Sequence, residues 1–511
     1  MKESEQEAWY LPQAMKLESL LDAINTKFSF AIGQPQEETF TYFDTFDWRL
    51  YRSGFHLQYV KNLWRLKRCD SAETIELTDG PIPEQRIFSW DFPAGTLRTR
   101  IESVTDVRGL LPLATLESTT TSVRILNKDE KTVGLLFFEC QQTNGKQNIL
   151  HRITIQGVRG YDKQKQSICN LLHSLCTLEP SSLRHNFEKA LRSIGRTPGD
   201  YDSKFSIQLA PRFTARQAAV SIYSKLLATM LRNEEGILND LDSEFLHDFR
   251  VAIRRTRAGL SQIKEVLPPD ITDHFKKEFA HLGNITGPTR DLDVYMLYEN
   301  NYKSRLPPSL RMPLHIFFSD LAERRTEEQK ILSKRLKTTR YRQIINEWRQ
   351  YLNGDGGSSA EDTDTPAIDI ARRIIFRRYK KILRAGREIA PETPDENLHR
   401  LRIQGKKLRY SLEFFASLFP NNEIKNVIKQ LKRLQNNLGD FNDLSVQQDM
   451  LHQYLKELKP GSRRNFELAT AIGGLLTNLY HEQCRVRKNF LSTFSRFSSG
   501  RNVALFNKLF N

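Results

Sequence analysis

The sequence predicts an α+β chain of several domains: an antiparallel sheet or barrel first, then an all-α region. Three observations carry that expectation. Near Thr214 the apolar residues change their spacing, from short strand-like runs to intervals of three and four. The whole of the net positive charge lies beyond that change. The region beyond it also contains one pattern written twice, 152 residues apart.

Residues 1–165 read mostly as β-structure. The stretches Phe40–Phe43, Phe55–Leu66, Ile87–Phe92, Leu97–Ser103, Ser118–Leu126 and Lys131–Cys140 are rich in Thr, Val, Phe, Ile and Tyr. Turn residues separate them, as in Thr78-Asp79-Gly80-Pro81 and Asn127-Lys128-Asp129. A helix is expected over Tyr161–Leu178.

Beyond Thr214 come long amphipathic helical stretches. They are broken at Leu267-Pro268-Pro269, Leu306-Pro307-Pro308 and Phe419-Pro420. Residues 353–366, NGDGGSSAEDTDTP, have the composition of a flexible linker. The domains expected are therefore a β domain at 1–180 and a helical domain at 206–500. The helical domain divides into a first bundle at 206–350, the linker at 353–366 and a second bundle at 367–500.

The repeat is the most informative feature. HDFRVAIRRTR, from His247 to Arg257, aligns with HRLRIQGKKLR, from His399 to Arg409. The same register pairs Lys225 with Arg377, Arg232 with Arg384, Lys277 with Lys429, Gly287 with Gly439, and Asp291-Leu292 with Asp443-Leu444. One ungapped register over such a length reads as a tandem duplication of a helical bundle.

Charge then points to a partner. By count, residues 1–205 hold 26 Lys and Arg against 26 Asp and Glu, which leaves 51 and 35 for residues 206–511 and so all of the +16. Such asymmetry marks one part of a chain as meeting an anion. On a helix, positions i, i+3, i+7 and i+10 share one side. His247, Arg250, Arg254 and Arg257 thus form a stripe about 15 Å long at ~1.5 Å per residue, and His399, Arg402, Lys406 and Arg409 form its twin. Leu246, Phe249, Ile253 and Leu260 occupy a different side of the first helix; Leu398, Leu401, Leu408, Leu412 and Phe415 do so in the second. Like charges at helical spacing repel by a few tenths of a kcal/mol per pair. A repeated uncompensated stripe is best explained by an anion, since Arg offers phosphate a planar fork and Lys a mobile charge. Asp291, Asp293 and Asp443 each follow an expected helix break at a glycine, Gly287 or Gly439. They are expected either to cap the next helix or to hold a stripe arginine.

Other classes are disfavoured. The cysteines, Cys69, Cys140, Cys169, Cys176 and Cys484, are odd in number and form no C-x-x-C pair, which speaks against a disulfide framework or cysteine-rich zinc site. No apolar run approaches the ~18 residues of a membrane span, and MKESEQEAWYLP lacks a signal-peptide core. A cytoplasmic protein without membrane contact is expected. No aromatic residues alternate with the stripes as base-stacking platforms would, so nucleic acid is a secondary candidate.

The segments around His247 and His399, together with GPTRDLDV (Gly287–Val294) and LGDFNDLSV (Leu438–Val446), resemble the CHAD domain, the conserved-histidine α-helical domain. The resemblance spans about 206–500. It implies two related four-helix bundles and binding of inorganic polyphosphate, with other polyanions as further ligands. By position it implies contacts from His247, Arg250, Arg254, Arg255, Arg257, His399, Arg402, Lys406, Lys407 and Arg409, with Lys277 and Lys429 added. It names no protein partner. Association with polyphosphate granules is compatible with it.

TYFDTFDWRLYRSGFHLQY (Thr41–Tyr59), Leu66-Lys67 and GVRGYDKQ (Gly157–Gln164) resemble a degenerate CYTH domain, the triphosphate tunnel fold. Active members open with Glu-x-Glu-x-Lys; here Glu5 and Glu7 are followed by Trp9 in place of the lysine. Metal-assisted hydrolysis needs carboxylates for a divalent ion and cations for the phosphates. That set is incomplete, with Glu5, Glu7, Glu139 and Lys67 as its remnants. The sequence thus leads to a non-catalytic polyphosphate binder without cofactor. The alternative is a triphosphatase or polyphosphatase using Mg²⁺ or Mn²⁺.

Overall fold

Ten antiparallel strands open the chain in a computed structural model, which describes residues 6–511 except 13–14, 71–72, 79, 144–147, 264–265 and 355–364. In sequence they are β1 (Gln6–Leu11), β2 (Ser29–Ile32), β3 (Gln36–Thr45), β4 (Phe55–Val60), β5 (Leu63–Arg68), β6 (Thr74–Leu77), β7 (Leu110–Leu126), β8 (Thr132–Thr143), β9 (Asn148–Gly157) and β10 (Glu179–Pro180). Their spatial order is β10-β1-β9-β8-β7-β3-β4-β5-β6, with β2 also on β7. Five helices accompany them: α1 (Leu17–Asn25), α2 (Arg49–Arg52), α3 (Thr96–Thr105), α4 (Asp162–Leu175) and α5 (Leu183–Ser193). Together they make the first of two compact units, Met1–Ser203.

Local structure corrects the sequence reading in three places. Ile87–Phe92, expected as a strand, holds only a bridge from Ile87 to Leu110 and then a 3-10 turn at Ser89–Asp91. Phe55–Leu66 is a hairpin, not one run: Lys61 and Asn62 adopt φ of 46° and 63°, the left-handed pair that a tight β-turn needs. Leu97–Ser103, expected as a strand, lies within α3. Its buried residues Leu97, Ile101 and Thr105 recur every four positions, a helical period.

Side chains alternate across the sheet. On one face Trp9, Leu11, Ile153 and Ile155 pack against Leu20 and Ile24 of α1 and Ile168 and Leu172 of α4. On the other, Phe40, Tyr42, Val60 and Leu116 pack against Phe187 and Leu191 of α5. Beside α5 that second face lines a polar cavity of about 390 Å³, with Glu38, Arg65, Lys67, Glu139 and Arg152 in its wall.

The second unit, Lys204–Asn511, is helical. Its elements are α6 (Ala215–Leu238), α7 (Ser243–Gln262), α8 (Pro269–Ile285), α9 (Gly287–Met296), α10 (Glu299–Ser304), α11 (Leu314–Leu336), α12 (Thr339–Asn353), α13 (Ala367–Arg387), α14 (Asp395–Phe415), α15 (Asn421–Glu457), α16 (Arg463–Lys488), α17 (Phe490–Phe497) and α18 (Gly500–Phe510). The repeat is written into these boundaries. Ala215 and Ala367, Ser243 and Asp395, and Pro269 and Asn421 open corresponding helices, each pair at the 152-residue offset. α12 ends at Asn353 and α13 begins at Ala367; residues 355–364 of the expected linker lie outside the described residues.

The copies differ at one expected break. The first copy stops at Ile285 and restarts at Gly287, with Pro288 in the first turn of α9. Proline lacks the N–H an unbroken helix requires. The second copy has Asp440 there, and α15 runs unbroken through Gly439 to Glu457. The break expected at Gly439 is therefore absent, and Asp443 is not a cap. Among the described residues, no helix is long and apolar enough to cross a membrane.

Candidate anion-binding face

The sequence of α7 sets its orientation. Asp242 caps its N-terminus, accepting from the backbone N–H groups of Glu244 and Phe245 at 2.9 and 3.3 Å. Phe245, Leu246, Phe249, Ala252, Ile253 and Leu260 are buried. The flank bearing His247, Arg250, Arg254 and Arg257 is thereby turned away from that apolar side. α14 repeats the scheme: Leu398, Leu401, Leu408, Leu412 and Phe415 are buried, and Asp395 and Glu396 favour its positive N-terminal end.

In the first stripe, His247 is half-buried and its Nδ1 lies 2.9 Å from Nη2 of Arg290. Arginine has no acceptor, so the imidazole nitrogen accepts, and a neutral ring then carries its hydrogen on Nε2. Arg290 is held in turn by the Ser243 carbonyl at 3.0 Å and by Glu244 at 3.6 Å. Arg250 donates to the Gly283 carbonyl and to Thr286 Oγ1, both at 2.8 Å, which ties α7 to the α8–α9 corner. Burial holds its pKa below the ordinary arginine value. Asp291 is exposed and lies beside Arg250, Arg290 and Arg254; partial loss of hydration raises its pKa and the three guanidinium groups oppose that rise. Arg254 and Arg257 are exposed.

In the second stripe, His399 is exposed and its Nδ1 lies 2.6 Å from Oδ1 of Asn442. The amide nitrogen of Asn442 faces Asp443 Oδ1 at 3.4 Å, which fixes the amide's orientation. Here the imidazole must donate. Arg402 pairs with Asp443 at 3.2 Å, and Arg409 with Glu413 at 2.8 Å. Of the two roles expected for the aspartates, capping and holding a stripe arginine, Asp443 takes the second. Asp293 instead pairs at 2.8 Å with Arg325, a residue outside the stripes.

Lys406 makes no ion pair among the described residues. Burial lowers its pKa to about 8, and Arg402, Arg254 and Arg409 push the same way against Asp443 alone. The influence of Arg254 is decisive for the geometry. Arg254 and Lys406 are equivalent positions of the repeat, so the two stripes converge where α7 packs against α14. One face results, carrying Arg250, Arg254, Arg402, Lys406 and Arg409, with His247 and His399 toward its ends.

The remaining candidate residues stand elsewhere. Arg255 is buried, donates to Glu413 at 2.7 Å and lies over the Phe205 ring at 5.1 Å. It is part of the α7–α14 packing, not of the open face. Its equivalent, Lys407, points to α13, where burial, then Arg378 and Lys381, lower its pKa. Lys277 and Lys429 are exposed on α8 and α15, with no hydrogen bond or ion pair to the stripes among the described residues. Glu413 was missed in the sequence. Its one signal was the i+4 spacing from Arg409; that it also takes Arg255 from another helix is visible only in the fold.

In the first unit, strand register relocates one candidate. Ala8 and Tyr10 lie opposite Thr154 and Arg152, on the cavity side. Glu7 lies opposite Ile155, on the other side, where it pairs with Lys165 of α4 at 2.7 Å. Glu7 is therefore not a cavity residue, and Glu5 lies outside the described residues. Glu139 and Lys67 do line the cavity. Burial pushes the Glu139 carboxyl up, but Arg152, Gln141 and Ser118 outweigh it and hold it below the usual range. Burial, then Arg65 and Arg152, lower Lys67. Arg152, which bonds to Glu139 from the facing position on β9, was also missed.

Parts of this chain are similar to known proteins. Residues 221–452 match the model of the CHAD domain. A stretch of 213 residues is 25% identical to an uncharacterized protein of Mycobacterium tuberculosis, covering 41% of this chain and 40% of that one. The chain thus spans about two fifths of the length of the curated relatives it matches. Among solved structures, the crystal structure of the CHAD domain from the plant Ricinus communis is 22% identical, covering 57% of this chain and 94% of its own, with a TM-score of 0.48. A Bacillus halodurans protein designated an adenylate cyclase candidate is 17% identical, covering 36% of this chain, which falls in its N-terminal region, and 96% of its own, with a TM-score of 0.26. The helical unit, with its duplicated helices and paired histidine stripes, carries a CHAD domain at residues 221–452.

Proposed function

We propose that the chain binds inorganic polyphosphate on the joined face of α7 and α14, without hydrolysing it. One observation carries the reading. Arg254 and Lys406 meet across the repeat in a cluster of cations, and Lys406 is left without an ion pair among the described residues. A group whose charge is disfavoured by its neighbours gains most when an anion arrives, because the anion removes both the repulsion and the lost hydration. Repeating phosphate, with no bases to read, suits a face that offers forks and point charges but no stacking platform. Other polyanions would compete by charge density. A cytoplasmic site, at polyphosphate granules, accords with such a ligand.

The test is titration of long-chain polyphosphate into the full chain at ~150 mM salt, beside Arg254→Ala/Lys406→Ala. We expect tight binding that the variant weakens at least tenfold, or about 1.4 kcal/mol. The salt dependence of the variant should be shallower by about 0.7 per cation removed. Equal binding by both proteins would refute the assignment.

A second reading rests on the cavity of the first unit, where Arg65, Lys67 and Arg152 stand beside Glu38 and Glu139. These groups suit a small phosphorylated anion, and a Mg²⁺- or Mn²⁺-dependent triphosphatase would place its carboxylates there. Against hydrolysis, Glu139 is engaged by Arg152, Ser118 and Gln141, and the strand position nearest the expected motif offers Ala8 and Tyr10. Phosphate release assayed with each metal separates the two readings.

A further inference from the structure

Two positions of the repeat, Arg255 and Lys407, have opposite fates. Arg255 is neutralised by Glu413 and buried. Lys407 makes no ion pair among the described residues, and the charges acting on it, Arg378 and Lys381 of α13, are both of its own sign. Arg378 in turn feels Arg377. It reaches Gln404 of α14 at 3.1 Å, which fixes it beside Lys407, and its Nε is buried without a partner. Arg377 and Lys381 are exposed and likewise without ion pairs among the described residues.

This seam has no counterpart in the first copy. The positions equivalent to Arg378 and Lys381 are Leu226 and Thr229. It is also continuous with the central face. Lys406 and Lys407 are successive residues, about 100° apart around α14, and the exposed His399, Arg400 and Ile403 leave that side of the helix open between them.

We propose that the α13–α14 seam is an extension of the anion site, used only by ligands long enough to pass over α14. It rests on the polyphosphate reading and deepens it: the site is one-sided, and it selects for chain length. A short phosphate chain fills the convergence of Arg254 and Lys406 and stops. A long one continues over α14 to Lys407, Arg378 and Lys381, where it relieves a second set of unpaired cations. The charges and the continuity both fit the same phosphate chain, so no second partner is needed.

The experiment compares tripolyphosphate with long-chain polyphosphate on the full protein and on Lys381→Ala/Lys407→Ala. Lys381→Gln/Lys407→Gln serves as a variant of nearly native side-chain volume. Both variants should bind tripolyphosphate as the parent does and lose about tenfold for the long chain. For the long chain alone, the salt slope should fall by about 1.4. An unchanged long-chain affinity, or an equal loss for both ligands, would overturn the seam while leaving the polyphosphate reading intact. Failure of the parent to bind either ligand would overturn both.

Discussion

Arg290 donates to Nδ1 of His247 over 2.9 Å, whereas the equivalent residue, Asn442, accepts from Nδ1 of His399 over 2.6 Å. One difference between the copies therefore sets opposite tautomers in the two repeated histidines. Neutral His247 then carries its hydrogen on Nε2, and neutral His399 carries its hydrogen on Nδ1. At about pH 8, above the ordinary histidine range, nitrogen NMR should find the Nε2–H tautomer at His247 and the Nδ1–H tautomer at His399. Arg290→Asn should convert the first to the second.

Lys406 makes binding sensitive to alkali. Its pKa of about 8 in the free protein lies below the usual lysine value, so charging it disfavours the folded state at pH below 8. That cost disappears as pH rises from 8 toward ~10.5. An anion on the face reverses the preference and draws a proton onto the amine. Polyphosphate affinity should fall from pH 7 to about 9.5, with proton uptake near pH 8 detectable by calorimetry in buffers of different ionisation enthalpy. Lys406→Arg, charged throughout, should flatten both effects.

Arg254 and Arg255 are adjacent but should behave as different kinds of residue. Arg255→Ala leaves the Glu413 carboxylate facing only Arg409 in a mostly buried contact. The helical unit should lose about 3 kcal/mol in a denaturant titration. Arg254→Ala, at an exposed site, should move stability by less than about 0.5 kcal/mol while weakening polyphosphate binding. Equal effects of the two on binding would contradict the geometry.

Glu139 should make the sheet unit acid-sensitive. Its carboxyl is held below the usual range, so the stability it contributes is present above the unfolded value of ~4.5 and is lost as pH falls through the lower folded value. Thermal unfolding of the parent between pH 6 and about 3 should show a loss that Glu139→Gln lacks. The variant should start lower, with Arg152 left without its carboxylate.

The duplication and the two stripes were legible in sequence because a helix keeps its register: a repeat at one offset with apolar residues at three and four must bring His247, Arg250 and Arg254 to one side. What a neighbouring helix does to that side was not legible. Arg254 and Arg255 are equally basic on paper, and only Glu413, arriving from α14, separates them. Strands are less forgiving. Glu7 and Ala8 differ by one position, and the pairing of β1 with β9 decides which enters the cavity. Leu97–Ser103 was misread because the alternation of Leu97, Thr99 and Ile101 suggested a strand, whereas Leu97, Ile101 and Thr105 follow a four-residue period, and the break expected at Gly439 failed because glycine alone, without Pro288's counterpart, does not stop a helix.

The meeting of Arg254 with Lys406 also separates this chain from any assembly of two identical subunits. On the axis of a homodimer each residue faces its own copy, so a change on one side is imposed on the other. Two fused copies escape that rule. Here one side of the junction keeps a guanidinium charged at every physiological pH, while the other holds an amine that can give up its proton. Gene fusion thus allowed a symmetric junction to become an uneven one, with a permanent charge and an adjustable charge side by side.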